Sequence, residues 1–450
     1  MKKTNRVNGR VAAWFYQHFL GLYLSLVVMT QIGLTVDTRL GVGIAPMLDI
    51  LLLASIIPLA LFTSGRWLPY MKTPFFTWYA FTALFFVISL LRLRFGDFYI
   101  TQIEFNNEVQ AAQKLLILGA CSYIAFTVHS YYFRLGFTVA LILIPGLVIL
   151  DFFAPSILSP PNDLFAARAS GTYLNPNQAA EAIVLICVLN IVRLRGFGAV
   201  VIILLVSLAL VLTFSRAGMA ASLILSGYLM WRQRLSKLFI IIPILVSLFL
   251  GSIIAVAEGA LEDLGYGASV SNVLYRLEFF SNISVDNVTG DDGSSESRTE
   301  IVEIALKESL NNPIFGHAVG TYLEYEIGPH NLPVHLTYKM GVFGFLIWAG
   351  LAYIIFKRGN TRGLGLINPA LVFFLWFSLF SHNTLDSRSW AVFLAFVLMK
   401  DPFTWHGAQH PKNTPKNINR LLMSDFNPLK PETKLLPKRK RIRKRRPRTL

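Results

Sequence analysis

FGAVVIILLVSLALVLTFSRAGMAASLILSGYLMW, residues 197–231, carries a single charge, Arg216, in its whole length. A helix needs about 20 predominantly apolar residues to cross a hydrocarbon core. The stretch therefore reads as two spans, 197–214 and 217–231, joined by TFSRAG with almost no loop. A transmembrane barrel would alternate apolar and polar residues with period two, and these runs do not. Arg193 and Arg195 precede the pair and Arg232 and Arg234 follow it, so both outer flanks belong on one side of the membrane and the TFSRAG turn on the other.

The same pattern recurs along the chain. With 54% hydrophobic and 15% charged residues and a mean hydropathy of +0.54, the composition excludes a soluble domain. Apolar runs fall at 13–34, 44–63, 74–91, 111–130, 136–153, 177–193, 197–214, 217–231, 238–257, 336–356, 366–381 and 389–400. The expected fold is an all-α polytopic bundle of about 12 spans over residues 1–400, with one large outward-facing loop, 258–335, between spans nine and ten. Placing the N-terminus inside puts 30 of the 41 Lys and Arg residues on the cytoplasmic side, against three of the 25 acids, Asp401, Asp425 and Glu432. That is the positive-inside asymmetry, and it sets both termini in the cytoplasm. The N-terminal run is as long as a full span and lacks a convincing cleavage site, so it reads as an uncleaved first helix. Cys121 and Cys187 both fall inside spans, which argues against a structural disulfide or a zinc site. The 401–450 tail ends in eleven basic residues from Lys430 onward. It reads as a disordered arm drawn to anionic headgroups; with no interleaved aromatics, nucleic acid is not an expected partner.

Several polar residues sit where lipid tolerates them poorly. From Arg216 to Arg232 is about 24 Å of helix, short of a core of about 30 Å. A cation at that depth calls for an anion or a wet cavity; the competing reading is an interfacial arginine on a lipid phosphate. In the loop, Ser297-Arg298-Thr299-Glu300 reads as a capping box opening a helix that Asn311, Asn312 and Pro313 stop. Arg298 in a first turn opposes the helix dipole, a penalty that a bound anion reverses; the plainer reading is an exposed arginine near Glu300 and Glu303. His330 stands between Pro329 and Pro333 just before span ten, where a neutral imidazole can take a proton from a hydroxyl. His335 competes with it for that role, and each could equally be a satisfied interfacial histidine. His317, in a glycine-flanked turn, reads as structural. Asn175-Pro176-Asn177 opens span six as an N-cap followed by proline, placing Glu181 one turn inside. His382, Asn383, Asp386 and Arg388 form a turn before a last span of only about 12 residues, so that turn is expected to dip inward.

Taken in order, GTYLNPNQAA, TFSRAG, SRTEIVEIAL with NNPIFGHAVGTY, and PHNLPVHLTYKMGVFGFLIW resemble the O-antigen ligase and polymerase superfamily of bacterial inner-membrane glycosyltransferases, over about residues 168–356. The resemblance implies an undecaprenyl-diphosphate-linked glycan as donor. It implies lipid A core or nascent polysaccharide as acceptor, and inverting, metal-independent transfer without a cofactor on the periplasmic face, which makes the outward-facing loop 258–335 periplasmic. Carried over, Arg216 and Arg298 hold the diphosphate and His330 serves the acceptor hydroxyl, with Asn331, His335 and Asn177 as further substrate contacts. His317 departs from the small or apolar residue expected between glycines. Protein O-glycosylation within the same superfamily stays open. A transporter or flippase predicts internal repeats and midplane acids; no repeat is visible, and Asp49, Asp151 and Glu181 lie near outer ends. A receptor would not require Arg216 at depth.

Overall fold

The computed structural model describes residues 15–95, 102–153, 158, 169–173, 175–194, 196–213, 215–231, 293–317, 329–361, 364–381, 383–385 and 387–400. The expected ninth span, the loop residues 258–292 and 318–328, and the basic tail lie outside them. Every regular element among the described residues is helical: α1 (Phe15–Val28), α2 (Ile32–Leu40), α3 (Ile44–Phe62), α4 (Pro74–Phe95), α5 (Gln102–Thr127), α6 (Ser130–Phe153), α7 (Pro176–Asn190), α8 (Gly196–Leu212), α9 (Arg216–Trp231), α10 (Gly293–Asn311), α11 (Leu332–Met340), α12 (Val342–Asn360), α13 (Pro369–Phe380) and α14 (Arg388–Met399). Among the described residues five segments, within α3, α4, α5, α6 and α12, are long and apolar enough to cross a membrane, and α1, α8, α13 and α14 are shorter apolar helices.

The core is aromatic and aliphatic throughout. α14 lies against α5 and α7, and its Trp390, Phe393 and Phe396 are inaccessible. Large exposed side chains such as Ile50, Ile57, Leu61, Leu135 and Phe197 cover the outside, as expected where the surroundings are themselves apolar. Glycine permits the close approaches: a Cβ on Gly218 of α9 would lie 2.6 Å from Cβ of Ala180 in α7.

Charge separates along the bundle axis. At one end Arg66 donates to Thr127 O (2.6 Å), Lys400 to Phe126 O (3.3 Å), Arg358 to Lys400 O (3.4 Å) and Arg193 to Arg134 O (3.1 Å). Several of these acceptors are carbonyls near helix C-termini, where cations are favoured. Asp49, Asp151 and Glu181 lie toward the other end. Asp49 pairs with Arg388, at the start of α14. Asp151 is in the last turns of α6. Glu181 accepts from Trp390, the third residue of α14 and so near the same end as Arg388.

Two departures from the sequence reading bear on function. The first span, expected as continuous from 13 to 34, contains a π-helical segment at Tyr23–Val28 and breaks at Gln31, whose φ is 53°. The carbonyls freed by the break are taken by later residues: Tyr173 Oη donates to Met29 O (2.6 Å) and Thr172 Oγ1 to Thr30 O. The second concerns α10. It begins at Gly293, four residues before the expected cap at Ser297, so Arg298 stands in the second turn and the argument from free N–H groups at a helix N-terminus is weakened.

Candidate functional site

Arg216 opens α9 and is half-buried. Ser215 caps that helix, its Oγ accepting from Gly218 N (3.3 Å) while its carbonyl takes Met219 N (2.8 Å). Beside it, Trp376 of α13 donates to Ala217 O (3.0 Å). The first turn of α9 is thus held from two directions, by α7 at Gly218 and by α13 at Ala217. On α7, Asn175 caps as expected, accepting from Asn177 N (2.8 Å), with Pro176 at the first helical position. One turn on, Glu181 is 2% exposed and bonded to Trp390 Nε1 (2.6 Å).

His330 and Asn331 lead into α11. Asn331 is its N-cap, Oδ1 accepting from Val334 N (3.2 Å), and Pro333 lies in the first turn. This fixes His330, half-buried, immediately outside the helix, while His335 is inside it and 6% exposed, its amide donating to Asn331 O (2.9 Å). Three of the residues singled out from sequence therefore occupy one capped turn.

α10 lies on α11 through Ile301, Ala305 and Tyr338, flanked by Ile304 and Val334. Its C-terminal turn is clamped to the α11–α12 junction. Val342 N donates to Pro313 O (2.8 Å) and His317 N to Tyr338 O (2.9 Å), the His317 ring stacking on Tyr338 at 4.8 Å and bonding Glu308 O through Nε2 (2.9 Å). Arg92 of α4 donates to Gly316 O (3.1 Å) and lies over the Phe315 ring. His317 is structural, as expected, and its departure from a small residue is explained by these bonds.

α13 touches both α9 and α11, so it stands between the helix that starts with Arg216 and the turn that holds His330. Arg298 is carried on the α10 backbone; its side chain is outside the described residues. Sequence reading missed how the polar groups pair. Arg388 makes a bidentate contact with Asp49 (Nε–Oδ1 2.9 Å, Nη2–Oδ2 2.5 Å), and Gln113 of α5 donates to the same carboxylate (2.6 Å). The available signal was an acid in an apolar run and an arginine just before a short last span.

A comparison with curated proteins finds no match to the chain. Residues 199–349, about a third of the chain and reaching from α8 into α12, match the family model described as O-antigen ligase, a match that supports membership of the chain in the O-antigen ligase and polymerase superfamily.

Proposed function

We propose that this protein is a membrane glycosyltransferase of surface polysaccharide biosynthesis, moving a glycan from undecaprenyl diphosphate to an acceptor hydroxyl. The observation that carries the reading is the family match over 199–349, the region that contains Arg216 at the head of α9 and His330 with Asn331 at the head of α11. His330 deprotonates or orients the acceptor hydroxyl as it attacks the anomeric carbon, with inversion. Arg216 and Arg298 stabilise the diphosphate as it leaves, guanidiniums matching phosphate geometry bidentately and supplying the charge stabilisation a divalent ion would otherwise give. Asn331, His335 and Asn177 contribute substrate contacts. The acceptor is lipid A core or the growing polysaccharide.

In this reading the catalytic region is about 168–356 within a bundle of about 12 spans over residues 1–400. The arginine- and lysine-rich end faces the cytoplasm of a bacterial inner membrane, and loop 258–335 faces the periplasm. The 401–450 tail lies along inner-leaflet lipid. The charge separation along the bundle favours this orientation.

The test is single substitution of Arg216, Arg298 and His330 to Ala, with surface polysaccharide and lipid-linked glycan measured in a strain lacking the native gene. Each variant is expected to insert normally and lose about 10²-fold or more of turnover. Unchanged polysaccharide in all three would remove the proposal. Long polymer left on the lipid carrier identifies ligation as the lost step, and single repeats identify polymerisation.

A further inference from the structure

α13 and α14 have 12 residues each, about 18 Å of helix against a core of about 30 Å. The connector between them therefore sits inside the bundle, where Ser381, Thr384 and Ser387 are buried (8%, 0% and 5% exposed) and Leu385 is half-buried. The break in the first span meets it there, Gln31 Nε2 reaching Ser387 Oγ (3.3 Å) and Ser389 Oγ (3.5 Å). Irregular backbone at membrane depth is tolerated where it is buried in protein or lines a cavity; the connector's serines and threonine are buried, and Gln31 at the break faces a small recess. This recess, of about 20 Å³, lies between the break, α3 and the start of α14 and is walled by Tyr23, Gln31, Leu48, Asp49 and Arg388.

Its polar groups are incompletely used. Arg388 spends Nε and Nη2 on Asp49, and among the described residues its Nη1 has no partner. Gln31 is 5% exposed, and its amide meets the two serines through one atom only. Whichever way that amide is turned, its other polar atom has no partner among the described residues. A donor from Arg388 and an amide atom of either sense fit one chemical group well: a hydroxyl, which accepts and donates at once. The recess has room for roughly one water-sized group, so it takes a single end group and not a whole oligosaccharide. All of its walls lie outside the family-matched segment 199–349.

We infer that this recess is a specificity subsite that reads a single hydroxyl or hydroxymethyl group on the sugar being transferred or glycosylated; the choice of a sugar as ligand rests on the function proposed above. The test uses the purified full-length chain in nanodiscs, a panel of methyl hexopyranosides and their singly deoxygenated analogues, and saturation-transfer NMR. Turnover is not needed for this readout. One parent sugar is expected to bind saturably, its affinity falling at least about tenfold when one hydroxyl is removed or in Gln31→Leu. Gln31→Asn, which keeps a residue tolerant of positive φ but shortens the reach, serves if the leucine variant fails to fold, with the same loss expected. Arg216→Ala is expected to bind the sugar as wild type does while transfer is lost. Absence of saturable binding to wild type, or binding that neither Gln31 variant weakens, overturns the subsite. If Arg216→Ala, Arg298→Ala and His330→Ala all keep transfer, only the proposed function falls.

Discussion

Replacing Gly341 by Ala should unfasten α10 from the bundle. Gly341 has φ 62° and ψ −147°, a region open almost only to glycine, and a side chain there costs about 1–3 kcal/mol. The added Cβ would also lie under 3 Å from the Ile314 carbonyl and 2.7 Å from Phe315 N. Those are backbone atoms that cannot rotate away, so overpacking adds about 1–3 kcal/mol more. The strain falls on the clamp itself, the bonds from Val342 N to Pro313 O and from His317 N to Tyr338 O. A loss of about 2 kcal/mol, the low end of the sum, raises local opening about thirtyfold. Hydrogen exchange in a nanodisc, followed on peptides covering 301–317, reads this directly. Gly350→Ala on the same helix is the control: its Cβ would meet only the Trp78 side chain, at 3.2 Å. Exchange in Gly341→Ala equal to that in the control would refute the reasoning, and with it the view that this junction positions α10.

Asp49→Leu leaves the Arg388 charge without its partner and should cost about 3–5 kcal/mol, whereas Asp49→Leu with Arg388→Met should recover much of it; thermal unfolding of the three proteins checks the non-additivity. Gly218→Ala drives a Cβ to 2.6 Å from Ala180 Cβ and should displace the first turn of α9. If Arg216 binds the diphosphate, transfer falls up to about 10²-fold from such a misplacement, while Gly227→Ala, with open space around its Cβ, should transfer normally. Lys307, at 2.8 Å, holds the Glu303 carboxyl below its ordinary range. That pair therefore supports α10 at neutral pH, and the support is lost as pH falls through the lowered carboxyl pKa. Glu303→Gln should abolish that part of the pH dependence of exchange in α10.

The helical class was legible because long apolar runs and flanking arginines are local properties. The cap at Asn175 was legible for the same reason: it rests on one side chain and a backbone amide two residues away. What escaped sequence reading depends on partners far along the chain. The break at Gln31 is stabilised by Thr172 and Tyr173, and no local pattern in VVMTQIGL announces it. The start of α10 was misplaced because SRTE satisfies the local rule for a cap while the helix continues upstream through GSSE. Within the candidate site, residue types and spacing marked Arg216 and His330, and the family resemblance added Asn331. The pairing of Arg388 with Asp49 across 339 positions could not be read from either neighbourhood.

The break in the first span has a consequence for biogenesis. Met29 and Thr30 lend their carbonyls to hydroxyls 144 and 142 residues downstream, so the ribosome delivers this segment to the membrane long before its partners exist. A nascent chain cut short of residue 170 should keep the region helical through Gln31, bending only once Thr172 and Tyr173 emerge. The opening segment thus enters the bilayer straight and acquires its mature shape late, as one of the last acts of assembly of the N-terminal half.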